Sequence, residues 1–162
     1  MLSKEELNTM EEKLRKFNRD LEVISDFLEN QHLTFMVVGS GALLTCGIPI
    51  KREVGDIDIE VCCDEKEARV FKILQDASFP QYSQYQILKK DKPYIFTYKG
   101  IKVNVWVVEE FTHKQWVEKN HIRFATVYSV LQRKMAYKRV KDFDDLNHIA
   151  KALLGTIDDP KS

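Results

Sequence analysis

The sequence predicts an α/β (α+β) domain in which a small mixed β-sheet is flanked by helices, with a C-terminal helical part. Three observations predict it. An apolar run, Phe35 to Val38, breaks at Gly39-Ser40-Gly41 and passes into small residues, the pattern of a strand turning into a helix. A second run, Asp56-Ile57-Asp58-Ile59-Glu60-Val61, alternates acidic and aliphatic residues with the period of a strand. Stripes at helical spacing precede and follow this central part.

Ser3-x-x-Glu6 has the form of a capping box, and Leu7, Met10, Leu14, Phe17, Leu21, Ile24 and Leu28 recur at helical spacing behind it. One long helix or two shorter ones are therefore expected over roughly 4–30, with an apolar face that covers the sheet or forms a dimer. After the central part, Asp64 can cap a helix reaching about Ala77, with Ala68, Phe71 and Leu74 as its buried stripe. The polar stretch 78–92, with Phe79, Tyr82, Tyr85 and the Pro80 break, reads either as a lid-like loop or as the edge of a hairpin. Tyr94 to Tyr98 and Ile101 to Val108 read as a hairpin turning at Lys99-Gly100. The last third is expected to be helical, with a short segment over 111–119, a helix over 126–139 carrying Val127, Val130, Leu131 and Met135 on one face, and a final helix over about 142–154.

One domain accounts for all 162 residues, with a helical segment at 1–30, a core at 35–108 and C-terminal helices at 111–155. Twenty-five basic and 25 acidic residues cancel, so no global field draws the chain to nucleic acid or a membrane. No apolar stretch approaches a membrane span and the first ten residues are charged, which leads to the expectation of a cytoplasmic protein. Cys46, Cys62 and Cys63 lack CxxC spacing and read as reduced thiols of the core or its edge. His32, His113, His121 and His148 are scattered without ligand spacing, and nothing repeats internally.

Alternation places Ile57, Ile59 and Val61 on a buried face and Asp56, Asp58 and Glu60 on the other. Carboxylates so close together repel unless a cation lies between them. Mg²⁺ takes oxygen ligands, usually one or two carboxylates together with phosphate oxygens and water. Glycines at 39 and 41 let backbone approach a ligand closely, and the amides at the start of a following helix favour an anion. The combination suits a metal-bound triphosphate.

In these residues the chain resembles the nucleotidyltransferase superfamily, the polymerase-beta-like fold, whose pattern is an apolar strand, Gly-Ser, a spacer and Asp-x-Asp. Gly39-Ser40 and Asp56-x-Asp58 match it with fifteen residues between them. Small bacterial members, among them abortive-infection and toxin-antitoxin types, are similar in a further respect: an Arg four residues before the first Asp, here Arg52. Their Ser or Thr two positions later is replaced by Val54. Those members also carry a Lys, an Arg about five residues on, and D-x-x-D, matched by Lys134, Arg139, Asp142 and Asp145.

The resemblance implies a Mg²⁺-dependent transfer of a nucleoside monophosphate from an NTP to an acceptor hydroxyl on a tRNA, a protein or a small molecule. Asp56 and Asp58 would hold the metal; Gly39, Ser40, Arg52, Lys134 and Arg139 would hold the nucleotide. An antitoxin partner or a homodimer is also implied. A third carboxylate is usual in the superfamily, and the position aligned with it is Asn104. An amide can offer its carbonyl oxygen to a metal but accepts no proton. Either the alignment is shifted, Glu60 or Glu109 takes the role, or catalysis has been lost. The competing reading is therefore a catalytically inactive nucleotidyltransferase-like module that binds nucleotide or a protein partner. A helical interaction protein working through 1–30 is a third. Trp106 could stack on a base beside Asn104, or simply pack in the core.

Overall fold

A computed structural model describes residues 3–48, 56–63, 67–77, 93–137 and 150. The expected helix over 142–154 apart from Ala150, which is helical, the stretch 78–92, and Arg52, Val54, Asp64, Arg139, Asp142, Asp145 and His148 lie outside the described residues, as does the side chain of Lys134.

Helix α1, Lys4–Asn30, is one continuous helix. Its start is set by the capping box: Glu6 N–H donates to Ser3 Oγ at 3.0 Å, and Ser3 N–H donates back to Glu6 Oε1. Phe17, Leu21, Ile24 and Leu28 are buried, whereas Leu7, on the same stripe, is 42% exposed. The chain then enters strand β1, Thr34–Val38, and turns at once into the short helix α2, Gly39–Thr45. Strand β2, Ile57–Cys62, and helix α3, Glu67–Ala77, follow.

Strands β3, Tyr94–Tyr98, and β4, Ile101–Val108, form the expected hairpin, and Lys99 and Gly100 at its turn both adopt positive φ. A two-residue turn with both centres left-handed matches the twist of the paired strands. The next segment corrects the sequence reading. Residues 111–119 are not helical: Trp116–Lys119 and Ile122–Ala125 are strands β5 and β6, an antiparallel hairpin turning at Asn120-His121. Both turn residues again have positive φ, at 50° and 66°. The helix expected further on is present as α4, Val127–Tyr137, entered through Thr126, whose hydroxyl accepts from Ser129 N–H; the side chain of Met135 lies outside the described residues.

The six strands make one mixed sheet in the order β3-β4-β2-β1-β6-β5. β1 is antiparallel to β2 and parallel to β6, while β2 is parallel to β4. One face of the sheet is apolar throughout: Val37, Ile57, Ile59, Val61, Val103, Val105, Tyr94 and Phe96 are buried. Helices α1 and α3 cover that face at its β3 side. Phe27 of α1 lies 5.4 Å from Phe96 and 4.7 Å from Tyr98, ring centre to ring centre, and Phe71 of α3 meets Tyr94 edge-on at 5.9 Å. Fully burying each such side chain contributes about 1.5–3 kcal/mol, so the apolar face is what anchors the strands. The opposite face is left to carry polar residues.

Candidate functional site

The polar face is organised around β2, the strand with alternating acids. Asp58 pairs in register with Val38, the last residue of β1, on one side and with Asn104 of β4 on the other. Residues directly paired across strands point to the same face, so Asp58 and Asn104 stand side by side. Asn104 Nδ2 donates to Asp58 Oδ1 at 3.0 Å.

Gly39 closes the other flank. Its φ is +68°, and a Cβ placed there would come within 2.6 Å of Asp58 Oδ2. Two requirements therefore coincide on this residue, a left-handed backbone and an empty side-chain position, and only glycine meets both. Gly41 differs. The space its Cβ would need is filled by the Phe17 ring at 2.5 Å, so this glycine lets α1 pack on α2 and does not face a ligand. Ser40 is buried in the same turn.

Asp56, half-buried, sits just ahead of β2, with Oδ2 3.6 Å from Lys102 Nζ on β4. Lys102 went unmarked in the sequence reading, although it shares the strand alternation of Asn104. The face is thus two carboxylates, an amide and a lysine at the edge shared by β2 and β4.

Glu60, offered by sequence as a stand-in for the third carboxylate, is engaged elsewhere. It is 3% exposed, and Thr112 and His113 from the β4–β5 connection hold it. Thr112 N–H donates to Oε1 at 2.9 Å, Thr112 Oγ1 donates to Oε2, and His113 Nδ1 lies 3.3 Å from Oε2. Burial pushes the Glu60 carboxyl up, but the hydrogen bonds from His113 and Thr112 and the nearby imidazole together outweigh it and hold the group below its ordinary range. Glu109 is exposed; its carbonyl accepts from Cys62 Sγ. Trp106 pairs in register with Glu60 and packs, partly buried, against the core.

Among the described residues no group of three or more His, Cys, Asp or Glu is arranged to hold a metal. Two carboxylates remain, the number Mg²⁺ commonly takes from protein when phosphate and water complete its shell. The donor set fits an ion delivered with a nucleotide. No described helix is long and apolar enough to cross a membrane.

No protein-family profile matches the chain, and no curated protein sequence does. Its architecture is similar to a crystal structure from Thermotoga maritima described as that of a "putative nucleotidyltransferase", with a TM-score of 0.52, 21% sequence identity, and 85% of this chain and 94% of that chain covered. At that identity the likeness is one of fold, and the fold is nucleotidyltransferase-like.

Proposed function

We propose that this chain, nucleotidyltransferase-like in fold, is a metal-dependent nucleotidyltransferase that moves a nucleoside monophosphate from an NTP to an acceptor hydroxyl. The observation that carries the reading is the seating of Asp58 between Gly39 and Asn104, two residues after Asp56. A glycine whose Cβ position is kept empty for a carboxylate is not required by a solvated strand face.

In the transfer, an acceptor oxygen bonds to the α-phosphorus, the bond from that phosphorus to the bridging oxygen breaks, and pyrophosphate leaves. The hydroxyl proton passes to solvent or to a base on the acceptor's side, because Asn104 accepts none. Asp56 and Asp58 are the residues that would hold Mg²⁺, which, when bound, supplies charge neutralisation on the phosphates. Asn104 orients Asp58, and Lys102 holds Asp56 at the rim. Gly39 and Ser40 offer backbone to the phosphates, and Arg52, Lys134 and Arg139 are the cations proposed to clamp them. A cytoplasmic setting, where NTPs and Mg²⁺ occur together, goes with this reading. A toxin-antitoxin role, with an antitoxin or a second copy as partner, remains a proposal of the resemblance alone.

A second reading is favoured by the Asn104–Asp58 hydrogen bond itself: a module that binds nucleotide without transferring it. Titration with each of the four NTPs, with and without Mg²⁺, in wild type and in Asp58→Asn tests the site. Metal-dependent binding lost in the variant supports it, and no binding to any NTP refutes it. Incubating the nucleotide that binds with tRNA, protein and aminoglycoside acceptors, and following pyrophosphate release, then separates transferase from silent binder.

A further inference from the structure

We infer that Asn104 makes this a one-metal site, which takes a single divalent ion together with the nucleotide and has no place for a second. The inference rests on the nucleotidyltransferase reading above. Two-metal centres hold their ions about 3.5–4 Å apart and need anionic oxygens that face both. Asp58 is the residue placed to bridge, and one of its two oxygens is already taken up by Asn104. Oδ1 accepts the Asn104 N–H at 3.0 Å, and Oδ2 lies against Gly39, within 2.6 Å of where a Cβ would be.

The amide orientation follows from chemistry. Turned over, Asn104 would set its carbonyl oxygen against a carboxylate oxygen, acceptor facing acceptor. As it stands, a neutral donor occupies the position, directly across the strand pair, where a carboxylate would complete a bridging set. The two other acids of this strand segment are engaged elsewhere. Asp56 shares its charge with Lys102 at 3.6 Å, and both oxygens of Glu60 are engaged by Thr112 and His113. Metal affinity rises with the count of charged ligands, so the two-carboxylate site binds its ion weakly until phosphate oxygens join. Metal and nucleotide are then coupled, each raising the affinity for the other by the same factor.

Frozen-solution electron paramagnetic resonance with Mn²⁺ and the α,β-methylene analogues of the four NTPs tests this on the full chain. Wild type should show an isolated six-line Mn²⁺ signal in the ternary complex, with one ion per chain by elemental analysis after gel filtration, and none retained without nucleotide. Asn104→Asp should show the signature of two spin-coupled ions and a count of two. Circular dichroism melting shows whether that variant is folded, and Asn104→Ser, which keeps a neutral side chain, should stay at one ion. A coupled pair in wild type, or a single ion in folded Asn104→Asp, overturns the inference and leaves the nucleotidyltransferase reading intact. Failure of every analogue to bind, with or without Mn²⁺, overturns both.

Discussion

Asp58 and Glu60 leave the same face of the same strand, two residues apart, and meet opposite fates. Asp58 is half-buried, with a glycine on one flank and an amide on the other. Glu60 is sealed under Thr112 and His113, with both oxygens engaged by protein donors. A carboxylate whose acceptors are taken up within the fold is a structural tie, joining the middle of the sheet to the connection between β4 and β5. One flanked by an empty glycine position and a neutral amide is the carboxylate on which the proposed nucleotide site rests. The residue type is shared in chemistry; what differs is that Glu60 is tied to a loop 52 residues on, whereas Asp58 stands beside Asn104 on the next strand.

Substitutions should separate the two roles, and the largest effect on stability belongs to Glu60. Glu60→Ala removes the acceptor of the buried His113 and of the Thr112 amide, which should cost about 3 kcal/mol in urea unfolding. A loss below about 0.5 kcal/mol would make Glu60 no tie at all. Gly39→Ala comes next: the left-handed backbone alone should cost about 1–2 kcal/mol. Because the methyl also displaces Asp58, metal-dependent nucleotide affinity should fall about tenfold or more, equivalent to at least about 1.4 kcal/mol. Calorimetric titration measures the second effect and thermal melting the first.

Acid should act through Glu60. Its folded-state value lies below that of the unfolded chain, so its contribution is fully present above the usual carboxylate range of about 4.3 and is lost as pH falls through the folded value. Stability should therefore decline on that acid side, and the Glu60→Gln variant should show a flatter profile. At the small end, Asp58→Asn should change stability by no more than about 0.5 kcal/mol while abolishing Mg²⁺-dependent nucleotide binding. Lys102→Ala, which removes a half-exposed ion pair, should cost about 0.5 kcal/mol or less.

The same contrast marks what the sequence makes legible. The capping box, the stripe of α1, the apolar run of β1, and the turn at Lys99-Gly100 are local signals, and each appears where spacing predicts it. Asn104 is marked only by its place in a family pattern, and the register that sets it against Asp58 is a property of the assembled sheet. Glu60 shows the limit. Its alternation with Ile59 and Val61 marks the correct face, but nothing in its own segment announces donors 52 residues away. The β5–β6 hairpin was missed for another reason. Its turn is Asn120-His121, without the glycine that usually signals two left-handed residues, and β5 is exposed at all four positions, so no inward-outward alternation betrays a strand. Gly41 misled in the opposite direction: a glycine beside a ligand-type motif turned out to make room for Phe17.

The parallel pairing of β1 with β6 has a consequence for the order in which the molecule assembles. Met36 meets Arg123, roughly 90 residues later in the chain, and contacts of such separation are the slow ones to close. The strand that leads into Gly39 and those that carry Asp58 and Asn104 pair among themselves without β6. During synthesis from the N-terminus, β1 therefore stays an uncovered sheet border until the last hairpin arrives. A chain interrupted before Ile122 would already own the paired carboxylate and amide, and would also present the bare backbone of β1 to any neighbouring strand.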